Sequence, residues 1–208
     1  MTTASRLLRT ERDALLPILR SRNAADFELP TVLPLWSVRD VLAHCSAALN
    51  LTAAQAMHSG SPAENQVDVE HLRGWTIDRL LDELAGGYDG AADVVEAVGG
   101  RYEAVALGEW THGGDVRMAW GIEDAYASAG VDDALALLNL YSMSPRSELP
   151  PTAVLLTDRE PLRLGTADPV ATLTTDTATF VRMWAGRDPD PARFTLTGAE
   201  AEEFVVFH

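Results

Sequence analysis

Apolar residues recur at helical spacing through the first two thirds of the chain. Between residues 3 and 22, for example, five leucine and isoleucine side chains fall on a shared face. Similar apolar stripes predict four more helices, over about 37–58, 76–98, 103–120 and 131–142. The second of these five stretches opens with Ser37 and has Asp40 three residues later, a pattern typical of a helix N-terminus. This part of the chain is therefore predicted to form a helix bundle.

The pattern changes after Ser144. The string S-P-R-S-E-L-P-P predicts a linker, and beyond it the short runs T-A-V-L-L-T, P-L-R-L-G, A-T-L-T-T and F-T-L-T-G predict strands. One short helix is predicted over 178–185, ended by Gly186. The predicted fold class is α+β. A four-helix bundle with an extra helix would occupy residues 1–148, and a small α+β domain residues 149–208.

The amino-acid composition argues against several classes of function. The 208 residues carry a net charge of -15, which disfavours nucleic acid and anionic membrane surfaces as partners. All 16 basic residues are arginine, a bias typical of a GC-rich genome such as that of an actinobacterium, and lysine chemistry is excluded. Cys45 is the one cysteine, so no internal disulfide can form. With no secretory leader or membrane span evident, we expect a cytoplasmic protein.

Two strings about 70 residues apart carry the candidate chemistry. The first, W-S-V-R-D-V-L-A-H, ends at His44, and the second, G-E-W-T-H-G-G-D-V-R, contains Glu109, His112 and Asp115. Glu109 and His112 lie three residues apart and therefore on neighbouring positions of one helix face. Two imidazoles and a carboxylate suit one divalent metal with an open coordination position, and Asp115 could orient His112. Taken singly, each histidine is more often a structural residue than a ligand.

The order and separation of these strings resemble the mycothiol-dependent maleylpyruvate isomerase family, whose members are metal-binding, DinB-like helix bundles. L-W-S-V-R-D-V-L-A-H resembles that family's helix ending in a ligand histidine, and E-W-T-H-G-G-D-V-R-M-A resembles its run of acid, histidine and aspartate. F-V-R-M-W-A-G-R resembles a string in the family's small, sterol-carrier-like C-terminal domain. The resemblance spans nearly the whole chain.

The resemblance implies a divalent metal, most simply zinc, held by His44, Glu109 and His112. It also implies mycothiol as a co-substrate, and Arg187 as the arginine that holds a substrate carboxylate. One departure stands out. In the family the acid precedes the histidine by four residues, whereas here position 108 is glycine and the glutamate is three residues before His112.

Two hypotheses of different class follow. The leading one is a metal-dependent, mycothiol-linked isomerase or thiol transferase that acts on a small electrophilic substrate. The competing one is a binding or regulatory protein that keeps the bundle but has lost catalysis, as the shifted glutamate suggests. A metal-dependent hydrolase is a weaker third hypothesis, because beyond Asp115 the sequence offers no candidate general base.

Overall fold

The computed structural model describes residues 1–57, 60–99 and 102–206. His58 and His208, to which the sequence assigns no role, lie outside the described residues, as does Gly100 at the predicted end of a helix. Six helices come first: α1 (Thr3–Arg20), α2 (Val38–Ala53), α3 (Pro62–Leu72), α4 (Ile77–Val98), α5 (Glu103–Ala119) and α6 (Val131–Ser142). A smaller part follows with β1 (Thr152–Leu156), β2 (Leu162–Leu164), β3 (Ala171–Thr175), α7 (Thr177–Trp184) and β4 (Phe194–Thr197).

Helices α1, α2, α4 and α5 form the bundle. Each packs against two of the others, so that α1 contacts α4 and α5, and α2 contacts the same two helices from the opposite side. Their apolar stripes meet in one buried core that includes Leu8, Leu42, Leu84 and Ala106. Helix α3 leans on α2, and α6 packs against α1 and α5. The four-helix bundle with additional helices thus confirms the predicted fold class for this part.

The C-terminal part is a four-stranded sheet with order β2-β1-β3-β4. The two central strands, β1 and β3, run parallel, while β2 and β4 pair antiparallel at the edges. Alternate residues of β1 and β3 are buried, which is the pattern of a sheet with one covered face. All four strands coincide with the predicted runs, and the α+β fold class is confirmed.

The two parts share a continuous apolar core rather than a flexible joint. The backbone N–H of Gly165 donates to Ser142 Oγ at 3.0 Å, and Arg159 forms an ion pair with Asp132. These contacts fix the sheet against α6 and hold α7 near the bundle. The boundary at residue 148 stays a prediction.

Two helix predictions differ from the structure. Helix α2 ends at Ala53, about five residues before the predicted end, because Gln55 adopts a left-handed φ of 55°. Helix α3 was not predicted, although Ser61 and Glu64 form a capping box and Pro62 occupies its first turn. The capping box predicted at Ser37 and Asp40 is present. Across the described residues, every helix is too short or too polar to cross a lipid bilayer.

Candidate active site

Helix α5 presents two different faces to its neighbours. With 3.6 residues per turn, Gly108, His112 and Asp115 fall on one side, which we call the site face. Glu109, Gly113 and Arg117 fall on a second side, rotated by about 100°, which we call the core face. Each face meets a different set of partners, and this division determines which predicted residues come together.

On the site face, the imidazoles of His44 and His112 lie side by side. Their ring centroids are 5.0 Å apart and their planes nearly perpendicular, which brings α2 and α5 together at this point. Trp36 covers the other side of His44, with ring centroids 5.1 Å apart, and its indole N–H donates to Gln66. Both histidines are partly buried, and the His112 side chain is 14% exposed. The sequence predicted this histidine pair.

Asp115 is the buried charged residue of the site face. Its carboxylate, which is fully buried, lies 3.0 Å from His112 Nδ1 and accepts a hydrogen bond of 2.6 Å from the Tyr126 hydroxyl. Arg187 donates to both carboxylate oxygens at 2.9 Å through Nε and Nη2. Burial alone would raise the pKa of Asp115, but the hydrogen bonds and charges of His112 and Arg187 outweigh it and lower that pKa. A carboxylate only accepts, so Nδ1 of His112 carries the hydrogen of this bond, and in the neutral form of the ring the lone pair lies on Nε2.

Arg187 belongs to the C-terminal part of the chain, but its side chain contacts the bundle. Helix α7 is capped by Asp176, whose side chain accepts from the Thr179 N–H, and it ends at Trp184. Gly186 then turns the chain with a φ of 67°, a conformation that disfavours larger residues. The Arg187 side chain, 9% exposed, returns to Asp115 and also donates to the Ala185 carbonyl. Two of its three nitrogen atoms are thus already committed to a protein carboxylate.

On the core face, Glu109 is buried. Its side chain is 2% exposed and lies near the thiol of Cys45, the residue that follows His44 on α2. Burial raises the pKa of Glu109 well above its usual value, with a smaller contribution from the charge of Glu11, and burial likewise raises the pKa of Cys45. Within the described part of the chain, Glu109 Oε2 has no hydrogen-bond partner. Burial therefore favours the neutral form of this carboxyl over the charged one.

A buried ion pair lies beside Glu109. Arg117 donates to both oxygens of Glu11, at 2.8 and 3.2 Å, and neither side chain is more than 3% exposed. Gly113 makes this approach possible, because a Cβ there would collide with the Glu11 carboxylate. Gly114 similarly leaves room for the ring of Tyr126, 2.5 Å from where its Cβ would stand. Close packing explains the glycine pair.

Gly108 has different surroundings. Apart from its chain neighbours Leu107 and Glu109 and its own helix backbone, no heavy atom of the described residues lies within 4 Å of the place a Cβ would take. The residue is partly exposed, one turn before His112 on the site face. The helix therefore offers open space where the site face lacks a side chain.

Of the predicted site residues, the structure brings together His44, His112, Asp115 and Arg187. Glu109 lies nearby but on the core face. Across residues 1–57, 60–99 and 102–206, no group of three or more histidine, cysteine, aspartate or glutamate side chains is arranged to hold a metal ion. Two imidazoles are donors that zinc accepts, but the described residues do not add a third protein ligand to them.

Sequence reasoning missed Tyr126, Glu11 and the stacking role of Trp36. Two consecutive glycines inside a helix, Gly113 and Gly114, are the sequence signal that could have indicated a close approach there. A cleft of about 810 Å³ also lies beside Trp36, between the 28–37 and 73–75 segments, with Arg39 and Arg73 in its lining. Trp36 thus separates this cleft from His44.

The family model of the mycothiol maleylpyruvate isomerase N-terminal domain matches residues 8–147, more than half of the chain. The chain belongs to this family. Two solved structures of a mycothiol-dependent maleylpyruvate isomerase, one of them a histidine-to-alanine variant, share its fold. Each has a TM-score of 0.55 over 96% of this chain and 95% of the other, at 14% and 15% identity. No curated protein matches the chain significantly. This family member therefore keeps the isomerase fold at low sequence identity.

Proposed function

We propose that this chain is a divalent-metal-dependent, mycothiol-linked isomerase or thiol transferase that acts on a small electrophilic substrate. The observation that carries the proposal is the accessible His44–His112 pair, with His112 oriented by a buried aspartate. Membership of the family supports mycothiol as the thiol partner. The substrate named for the structural neighbours, maleylpyruvate, is one candidate among small electrophiles.

In this proposal His44 and His112 hold the metal, zinc being the simplest choice. A bound divalent ion would lower the pKa of a thiol and so supply a nucleophile at neutral pH. Asp115 keeps a hydrogen on Nδ1 of His112, which leaves Nε2 as the electron-pair donor. Tyr126 and Arg187 hold Asp115 in place. Trp36 limits the rotation of the His44 ring by stacking on it.

The proposal gives Arg187 two tasks. It positions Asp115 through Nε and Nη2, and its remaining N–H groups are the ones left to hold a carboxylate of the substrate. This second task is the one that the family resemblance implies. Because the guanidinium is only 9% exposed, a substrate would have to approach it from the site face.

The test measures metal content and turnover of a small electrophile with mycothiol. We expect His44→Ala and His112→Ala each to lose the metal and at least about a hundredfold in turnover. His71→Ala, which removes an exposed histidine on α3, is the control and should match the wild type. Turnover that survives both site substitutions would contradict the proposal.

The competing proposal, a binding or regulatory protein without catalysis, is favoured by one observation. Glu109 faces the core rather than the histidines, and no three-ligand group is found in the described ranges. Under this alternative, mycothiol or the metal would bind without turnover of any electrophile. The same variants distinguish the two, since binding would depend on His112 while no product forms.

A further inference from the structure

We propose that the cleft of about 810 Å³ beside Trp36 is a binding site for a small aromatic carboxylate. The cleft lies between the 28–37 and 73–75 segments, and its lining combines two tryptophan rings, Trp36 and Trp75, with two guanidinium groups, Arg39 and Arg73. Its volume lies in the range of small-molecule sites. This site is separate from the histidine pair, and binding there needs no metal.

Both arginines of the cleft keep N–H groups that the chain does not use. Arg39 donates through Nε to Glu28 at 3.1 Å and through Nη1 to the Trp75 carbonyl at 2.8 Å. These bonds fix its side chain, while Nη2 has no hydrogen-bond partner among the described residues. Arg73 is 55% exposed, and its contact with Asp40 is long, at 3.4 Å. A carboxylate can therefore find donors on both guanidinium groups.

The acidic residues of the cleft do not cancel these cations. Asp40 completes the capping box of α2, where its Oδ2 accepts from the Ser37 backbone N–H at 3.0 Å and from the Ser37 hydroxyl at 2.8 Å. Its charge also lies at the positive end of the α2 dipole. Asp40 is thus stabilised without Arg73. Glu28 is 62% exposed, so water screens its charge. The cleft therefore retains an attraction for an anion.

The two tryptophan rings provide a surface for a flat ligand. His44 covers one side of Trp36, with ring centroids 5.1 Å apart, and the Trp36 indole N–H donates to Gln66. These contacts hold the Trp36 ring where it lines the cleft. Trp75 carries the guanidinium of Arg79, whose Cζ lies 3.5 Å from the ring centroid. Aromatic rings pack favourably on one another, and here a ring would bring its carboxylate close to cations.

The segment that carries Trp36 is held in an unusual conformation. Leu35 has a left-handed φ of 70° and is 97% exposed. The Thr31 N–H donates to the Trp36 carbonyl at 3.1 Å, and the Trp36 N–H donates to the Leu33 carbonyl at 3.2 Å. Such a conformation is strained for leucine, and strain of this kind collects at binding sites, where it pre-organises the groups that contact a ligand. We therefore expect the cleft to bind without rearrangement.

The experiment follows the indole N–H signals of the full-length protein by NMR while naphthoate is added. Naphthoate should shift the signals of Trp36 and Trp75, which Trp36→Phe and Trp75→Phe identify, with a dissociation constant of about 1 mM or lower. Naphthamide, its neutral match in shape, and acetate, which has the charge but no ring, should each bind at least about tenfold more weakly. The signals of the other tryptophans should not move: Trp110, Trp120 and Trp184.

Arg73→Gln should weaken naphthoate binding about five- to tenfold, because a charge-assisted hydrogen bond is lost. Arg163→Gln is the matched control, since it removes an arginine of similar exposure from β2, and it should bind like the wild type. His112→Ala should also bind like the wild type, although the proposed function predicts that it loses turnover.

The inference is overturned if naphthamide binds as tightly as naphthoate, if naphthoate saturates no indole signal at about 10 mM, or if it moves tryptophans outside the cleft instead. Equal affinity of Arg73→Gln and Arg163→Gln would also overturn it. Loss of naphthoate binding in His112→Ala would place the carboxylate at the histidine pair and contradict a separate site. Should Arg73→Gln fail to fold, the comparison of naphthoate with naphthamide on the wild type decides.

Discussion

Each face of α5 carries a buried carboxyl group, but the surroundings of the two groups differ. The site face carries a charged aspartate whose oxygens are all engaged by Tyr126, Arg187 and His112. The core face carries Glu109, whose pKa is raised by burial and whose Oε2 has no hydrogen-bond partner among the described residues. A carboxylate can stay ionised in a buried place only where cations and donors surround it. The shift of one residue, from 108 to 109, therefore changes a potential ligand into a core group.

The two faces also differ in which part of the chain supplies their ion-pair partners. Asp115 on the site face meets Arg187, 72 residues away in the C-terminal part, whereas Arg117 on the core face meets Glu11 of α1 within the bundle. The core face therefore depends on the bundle alone, while the site face is complete only when the sheet and α7 are docked. We therefore expect stability to depend on the core face and the proposed function on the site face. Each prediction below tests that separation.

The largest effect is expected on the core face for Arg117→Met. It leaves the buried Glu11 carboxylate without its cation, which should lower the free energy of unfolding by about 3–5 kcal/mol. Urea unfolding measures this loss. Arg20→Met, which breaks an exposed pair with Asp82, is the control and should cost less than about 1 kcal/mol. Glu11→Gln combined with Arg117→Met should recover part of the loss, and equal losses in variant and control would contradict the buried pair.

Gly113→Ala and Gly108→Ala compare the faces with the same added methyl group. At Gly113 the methyl displaces the paired Glu11 carboxylate, so a loss of about 1–3 kcal/mol in unfolding free energy is expected. At Gly108 the space is open, and the better helix propensity of alanine should stabilise by about 0.5–1 kcal/mol. Both variants are compared with wild type by urea unfolding. A loss at Gly108 would show that its space is filled.

Asp115→Asn should destabilise by about 1.5–3 kcal/mol at neutral pH, because charge-assisted bonds to Arg187 and His112 are lost. The lowered pKa of Asp115 makes its contribution fully present above the pKa of an unfolded aspartate. That contribution is lost as the pH falls through the lower, folded value. Unfolding free energy measured from neutral to acid should therefore show the gap between variant and wild type closing in acid. Asp168→Asn, a fully exposed control, should change little at either end.

The sequence predicted which side chains of α2 and α5 lie close together better than it predicted the boundaries between elements. The pairing of His44 with His112, and of Asp115 with His112, followed from helical spacing and from the order of the two strings. The partner of Arg187 did not, because it lies 72 residues away and depends on how α7 docks. The ion pair of Glu11 could not be predicted either, because its partner Arg117 is 106 residues away in the sequence. Contacts of such separation are set by tertiary packing, which local patterns do not encode.

Glu109 shows why residue spacing alone could not decide which position on α5 supplies a ligand. Positions three and four residues before His112 are both neighbours of it on a helix, so the sequence allowed either as a ligand position. Cys45 and Tyr88 lie near Glu109 and contribute to its buried surroundings, and this burial places Glu109 in the core. Helix α3 was missed for a related reason: its apolar stripe is weak, and only Val69 and Leu72 are buried. In both cases burial by other elements, not local pattern, decided the outcome.

An effect of opposite sign is expected for Glu109→Gln. Because burial raises the pKa of Glu109, the folded protein binds a proton that the unfolded chain releases above about pH 4.3. The stability of the wild type should therefore fall as the pH rises from that value towards the folded pKa. Glutamine cannot ionise, so the variant should equal wild type near pH 4 and become more stable than it by about 1.4 kcal/mol for each pH unit up to the folded pKa.

Urea unfolding at a series of pH values measures this difference, with the exposed Glu83→Gln as the control that should show none. If Glu109→Gln instead destabilises at pH 7–8 as strongly as Asp115→Asn, the carboxylate must be ionised and paired in the folded protein. Glu109 would then behave like a residue of the site face, and the division of α5 into two faces would not hold. A gain in stability that disappears in acid would show that one helix holds one carboxyl charged for the site and the next neutral for the core.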